Sequence, residues 1–256
     1  MRPTRLTLSL TALTFLSASA LLFTSVAAHA QANSLWLSVD YTYSDVSYTN
    51  SALAEKARLG GIRGDFGLAL TSSLGLEVAG DYQDGNFSAD GNTLTGATTS
   101  GLTKDYLRDT RALADLFFGS FTIGAGVAQR EWYDVLPGAY RQRTTYNYFP
   151  IVLTINEGGF YLKGEYDYWG SGTNKNYMSD LGATRQDTSL TQKSGSGWGA
   201  EIGYQLRSPA LIETRIFASY HRWDVGTSDM QSDGVQALTQ PKNNTVTIQG
   251  GIGINF

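Results

Sequence analysis

Few side chains in this sequence are equipped for chemistry, and their spacing limits what they can do. There is no cysteine, which excludes a thiol nucleophile, a thiolate metal site and a disulfide scaffold together. Of the two histidines, His29 sits at the end of an apolar N-terminal run, so His221 is left to carry proton chemistry. Asp224 follows it closely, and Asp81 and Asp84 supply a second pair of carboxylates. A histidine–carboxylate set of this kind activates water by general-base catalysis. Ser219 shares a face with His221 on an extended strand, so a Ser–His contact is geometrically available as well. Neither idea has a supporting motif. There is no G-x-S-x-G turn, and the residue two before the histidine is Ser219 rather than an aspartate. A lone inward histidine more often belongs to a polar network. The main expectation is therefore a protein that is not an enzyme, with His221, Asp224, Asp81 and Asp84 as the catalytic set if it is one. No phosphate loop, calcium loop or zinc-ligand spacing occurs, so neither cofactor nor metal is expected.

A second group of charges is larger and more regular. Arg63, Asp65, Glu77, Asp109, Arg111, Asp115, Lys163, Glu165, Asp167, Glu201, Glu213 and Arg215 fall at alternate positions within short segments whose intervening residues are apolar. If those segments are strands, the charges share one side. In a narrow interior they would have to pair, since an isolated buried charge is costly. A cross-strand Glu201–Arg215 pair is expected, and Lys163 has Glu165 and Glu201 within reach. A structural salt-bridge network is the simpler role, and a polar pore the sharper one.

The elements that position these residues are strands. Ten segments alternate with period two: about 35–44, 62–70, 74–82, 106–118, 121–130, 144–155, 160–168, 198–206, 212–221 and 244–256. The sixth is the least regular, and Pro150 there suggests a bulge. Short turns at 71–73, 119–120, 156–159 and 207–210 alternate with polar stretches that read as loops, the longest being Asp84–Lys104, Gly170–Gly195 and Asp224–Asn243. Tyr41, Tyr43, Tyr82, Trp132, Tyr133, Tyr166, Tyr168, Trp169, Tyr220 and Trp223 lie near the long-loop ends. Phe118, Phe121, Phe160 and Phe256 lie near the short-turn ends. In the last segment the inward Gly251 and Gly253 are small enough to leave a gap along one wall.

At the N-terminus, Arg2 and Arg5 precede an uncharged run from Leu6 to Val26, and Ala28-His29-Ala30 supplies the small residues of a signal-peptidase site. Residues 1–30 are thus expected to be a cleaved secretory signal and 31–256 one domain. The formal net charge is −4, and loss of the two leader arginines makes it more negative. With no basic stripe, nucleic acid is not an expected partner.

Alternating strands, short turns opposite long loops, aromatic ends, an export signal and a final strand NTVTIQGGIGINF closing on Phe256 resemble the Gram-negative outer-membrane β-barrel proteins. The resemblance implies an all-β chain forming a single closed antiparallel transmembrane barrel in the bacterial outer membrane. Ten strands are expected, with short periplasmic turns and long extracellular loops, and eight or twelve is the alternative count. It implies outer-membrane lipids and lipopolysaccharide as neighbours, Phe256 as the signal read by the barrel assembly machinery, and an extracellular ligand for the loops. The ten-stranded members include the omptin proteases, whose site sets a His–Asp pair across the rim from two aspartates. His221, Asp224, Asp81 and Asp84 are similar in kind but lack the Asp-x-His element. The expected function is a non-enzymatic surface-interaction or envelope role with a narrow or plugged charged lumen. The alternatives are a small diffusion pore and an omptin-like protease or lipid hydrolase.

Overall fold

The computed structural model describes residues 35–206 and 213–256. The expected signal segment and the turn around Pro209 lie outside the described residues. Thirteen strands are formed: β1 Leu35–Asn50, β2 Leu53–Ala69, β3 Leu74–Asn92, β4 Thr98–Phe118, β5 Phe121–Val135, β6 Arg141–Glu157, β7 Phe160–Asn176, β8 Thr188–Gln192, β9 Gly195–Leu206, β10 Glu213–Val225, β11 Met230–Ser232, β12 Ala237–Thr239 and β13 Asn243–Asn255. All but β8, β11 and β12 are staves of one antiparallel barrel, which gives the ten expected. Each stave pairs with its sequence neighbour, and β13 closes the ring by pairing with both β1 and β10. Short β8 continues the line of β9 alongside β7, pairing Thr188–Gln192 with Gly172–Asn176.

The outer face explains why the ring closes. Val39, Tyr41, Ile62, Leu76, Val78, Val127, Ile151, Leu162, Ile202, Ile216, Ile248 and Ile252 all point outward and are exposed. Such a belt is stable only against lipid. There every backbone N–H and C=O must find a partner inside the protein, which a sheet without edges provides. Tyr41, Tyr43, Tyr82, Tyr166, Tyr168 and Trp198 edge the belt on one side, and Phe118, Phe121, Phe160 and Phe256 on the other. Trp132 and Trp223, expected in the outer girdle, instead point inward and are buried, and Trp169 packs against the same interior cluster as Trp223. Sequence position placed them at the right height but could not say which face they occupied.

The three long polar stretches are not loose loops. A tilted strand crosses the hydrocarbon with about 9–11 residues, yet β3 and β4 contain 19 and 21. Asp84–Lys104 is the upper part of a continuous β3–β4 hairpin that turns only between Asn92 and Thr98. Gly170–Gly195 contains the end of β7, a 3-10 turn at Met178–Leu181 and β8, while Asp224–Asn243 contains the β11–β12 hairpin. Above the membrane the faces exchange polarity. Along β1 the inward residues change from Ser38, Asp40, Thr42 and Ser44 to Val46 and Tyr48, and the outward ones from Val39, Tyr41 and Tyr43 to Asp45, Ser47 and Thr49. The period is unbroken while the solvent outside changes from lipid to water.

The irregularity expected at Pro150 sits nearby. Pro150 pairs with Asp167, while the register of β6 against β7 shifts between Asn147 and Tyr148, leaving Gly170 as the extra residue on β7.

The upper half has its own apolar core. Val46, Leu53, Leu59, Phe87, Leu107, Trp132, Leu136 and Tyr140 from the staves and hairpins meet Met178 and Leu238 from the expected loops. Leu59 has no solvent exposure. Leu59→Ala should therefore lower the unfolding free energy by ~3 kcal/mol, the usual cost of an unfilled core site. Urea denaturation in detergent micelles measures this, and a loss below ~1 kcal/mol would show that this half is not packed as a core.

Candidate functional site: the barrel lumen

The inward face of the lower half carries the charges singled out in the sequence, and period-two geometry brings them into one space. A vestibule of about 630 Å³ lies at the short-turn end, with Trp36, Asn255 and Phe256 in its lining. A second cavity of about 120 Å³ lies deeper, lined by Asp81, Asp109, Tyr148, Glu165 and His221 among others. Arg63, Arg111, Lys163 and Glu201 line both, so they form the layer between the two spaces.

Arginine forks organise this layer. Arg63 Nη1 lies 2.6 Å from Glu201 Oε2. Arg111 bridges Glu77 at 3.2 Å and Glu165 at 3.1 Å. Arg215 pairs with Asp65 at 2.9 Å and with Asp40. The Arg63 and Arg215 guanidiniums lie 5.3 and 5.7 Å from the centre of the Phe217 ring. Tyr161 donates to Glu201 at 2.9 Å, and Tyr148 donates to Asp109 at 2.8 Å. The expected Glu201–Arg215 pair does not form. Their backbones are out of step, since Glu201 faces Ser219 and Arg215 faces Gln205, and each charge finds a partner across the lumen instead. Lys163 sits opposite Glu201 in the ladder, but neither it nor Asp115 nor Glu213 makes an ion pair within 4.0 Å among the described residues. Asp40, Arg130 and Tyr148 belong to the network and were not anticipated. The inward parity of their strands was the available signal.

The gap expected beside Gly251 and Gly253 is filled. A Cβ on Gly251 would lie 2.4 Å from the Phe217 ring, and the side chain of Asp40 occupies the space above Gly253. Small residues here let large neighbours lie flat across the lumen.

The proposed catalytic set disperses. His221 Nε2 meets Asp167 Oδ2 at 2.7 Å. Asp224 is on the opposite face of β10, paired with outward Arg222 at 2.9 Å. Asp84 also points outward and is exposed. Asp81 does face the lumen, where Gln83 and Gln249 each donate to it at 2.8 Å. Ser219 donates weakly to Gln249 at 3.5 Å rather than to His221. An odd spacing from His221 to Asp224, and from Asp81 to Asp84, puts each pair across the sheet from itself.

What does converge on His221 is Asp167 and Glu165, with one ligand atom of each of the three within 4.8 Å of the others. These residues come from β7 and β10, separated by β9. They meet because β9 is bare at that level: Gly199 lies between Glu165 and His221, and Gly197 between Asp167 and Trp223. A Cβ on Gly197 would stand 2.5 Å from Asp167 Oδ2.

These observations fix the setting: a closed ten-stranded barrel with an apolar exterior and an ionic interior. The chain has the fold of an outer-membrane β-barrel. Solved structures similar to it include the outer membrane protease OmpT of Escherichia coli, at 12% identity and a TM-score of 0.49, covering 88% of this chain and 97% of that one. The translocator domain of the autotransporter NalP from Neisseria meningitidis matches at 9% identity and a TM-score of 0.43, covering 95% and 96%. Neisserial surface protein A matches at 10% identity and a TM-score of 0.37, covering 88% and 100%. No protein-family model and no curated protein matches the chain. At such identities and scores nothing about activity follows from the likeness.

A second ionisable cluster lies above the membrane, inside the apolar half. Glu55, Asp105 and Asp134 are each buried. Asp134 is within hydrogen-bonding reach of both other carboxyls and accepts from Gln142 at 2.6 Å. Asp105 accepts from Thr103 at 2.9 Å and from the Val135 amide at 3.0 Å. Burial pushes Glu55 up to about 7 and, with the neighbouring Asp134 charge adding to it, Asp105 up to about 8. Asp134 is raised as well, first by burial and then by Glu55. Carboxyls raised in the folded state bind more protons folded than unfolded, so their contribution is fully present below the ordinary carboxylate range and is lost as pH climbs through 7 to 8. Hydrogen exchange, corrected for intrinsic rates, should show the β3–β4 hairpin better protected at pH 5 than at pH 8.5. Glu55→Gln should flatten that difference. Equal protection at both pH values would mean the cluster is not proton-linked.

Proposed function

We propose that the protein is a non-conducting outer-membrane barrel whose work is done at its extracellular surface, in a surface-interaction or envelope role. The observation that carries this is the apolar core across the upper half, in which Met178 and Leu238 pack down onto Trp132, Leu59 and Phe87. Water and ions do not cross such a layer. The arginine–carboxylate layer beneath it is a second obstruction, so the vestibule is blind. The diffusion-pore reading needs both to open. The omptin-like reading needs Asp84 and Asp224 beside His221, whereas both face outward.

The hairpins above the membrane form an ordered surface, which carries exposed Leu102 on β4, Met230 at the base of the β11–β12 hairpin and Val235 at its tip. Apolar side chains held out on a rigid hairpin surface suit contact with a partner. Lower down, outward Lys56, Arg58 and Lys104 stand above the tyrosine girdle and Arg108 lies beside its Tyr82, at the level where lipopolysaccharide presents phosphate groups.

The test is planar-bilayer recording of mature protein shown to be folded by its heat-modifiable gel mobility. The expected result is an unbroken baseline. Stable ohmic openings would overturn the closed-lumen assignment and return the pore to first place.

A further inference from the structure

We propose that Glu165, Asp167 and His221 form a binding site for a single divalent cation of the zinc type inside the barrel wall. The donor set is one imidazole nitrogen and two carboxylates, which suits a borderline metal such as Zn²⁺ better than Mg²⁺ or Ca²⁺. The donor atoms already lie within 4.8 Å of one another. Tetrahedral zinc with ligand bonds of about 2.0–2.2 Å needs its donors about 3.3 Å apart. The His221–Asp167 contact, now 2.7 Å, therefore opens by about 0.6 Å to admit the ion, while donor atoms up to 4.8 Å apart close by up to about 1.5 Å.

An independent observation points the same way. The Asp167 side chain has no solvent exposure, no N–H or O–H donor reaches its Oδ1 among the described residues, and the group beside it is the Glu165 carboxyl. A buried carboxylate oxygen with nothing to accept from is costly, and a cation supplies what it lacks. Arg111 occupies one oxygen of Glu165, Oε2 at 3.1 Å, and leaves the other available. The cavity of about 120 Å³ adjoins both Glu165 and His221, giving the fourth coordination position room for water. Three protein ligands with an open position form a site that binds metal without being sealed by it.

Gly197 and Gly199 make the site possible. By leaving β9 without side chains at this level they let β7 and β10 reach one another, so the ion would tie two staves across the one between them. The site goes beyond the closed-barrel reading and does not depend on whether the lumen conducts.

The experiment is calorimetric titration of ZnCl₂ into folded, EDTA-treated protein in detergent, repeated on protein refolded with ZnCl₂ present. Cobalt loading is followed by visible absorption, and Trp223, whose ring stacks 5.7 Å from that of His221, provides a fluorescence reporter. The expected result is one zinc per chain. His221→Gln and Asp167→Asn, which keep side-chain size, should weaken binding by more than ~10-fold, since losing a ligand costs at least what losing its supporting partner does. They should also abolish the cobalt spectrum. Ser219→Ala should leave both unchanged. Gly197→Ala should reproduce the Asp167→Asn loss by displacing the carboxylate. No uptake under either loading condition, or equal uptake in wild type and both ligand variants, overturns the site.

Discussion

The structure depends on the pairing of β13 with both β1 and β10, because a membrane offers no substitute for an unmade backbone hydrogen bond. Once the ring is closed, every residue is committed to one of two faces, and the chemistry of each face follows from what lies beyond it. Next to lipid the outside must be apolar, so the charges go in. Above the lipid the outside must be polar, so the apolar residues go in. One uninterrupted strand such as β1 obeys both demands by exchanging the polarity of its two faces near Tyr43 and Ser44. The upper half is thereby built on the logic of a soluble barrel, and the membrane half on its inverse.

That inversion determines how each interior is filled. The upper one packs Leu, Phe, Tyr and Trp side chains and gains from burying them. The lower one cannot, and must close a ring of ten strands around charged groups. Arginine serves there because its planar fork holds two partners at once, as Arg111 holds Glu77 and Glu165. Glycine serves because it gives up its space to a neighbour, as Gly251 does to Phe217. Desolvating so many charges gives little net stability. The benefit is rather a filled lumen whose members each have a specified partner, while the lipid-facing belt and the closed ladder hold the barrel.

The barrel and its count of staves were legible because they rest on period two and on turn chemistry, both local properties. Phe160, Leu162, Gly164, Tyr166 and Tyr168 against Tyr161, Lys163, Glu165 and Asp167 needs no neighbour to be recognised. The upper half was not legible for a related reason. A polar outward residue such as Ser88 or Asp90 beside Ala89 reads as loop when the template expects apolar outside, although the hairpin runs on through it. Pair partners were less accessible still. Arg215 finds Asp40 and Asp65 on strands far away in sequence, and nothing in the spacing near Glu201 or Gln205 indicates which acid it will meet.

The group around His221 shows why function is the last thing a barrel sequence yields. A catalytic or metal motif on a helix is written in consecutive turns, but a barrel assembles its interior across strands. Proximity is set by ladder register and by what the intervening strand leaves empty. Asp224 is close to His221 in sequence and faces away from it. Asp167 is 54 residues distant and touches it. The deciding residues are Gly197 and Gly199, which contribute no atom to the chemistry and which composition counts as ordinary strand glycines. Their vacancy on β9 lets an acid pair from one stave reach an imidazole from another, so the informative signal lay in the missing side chains between the functional groups.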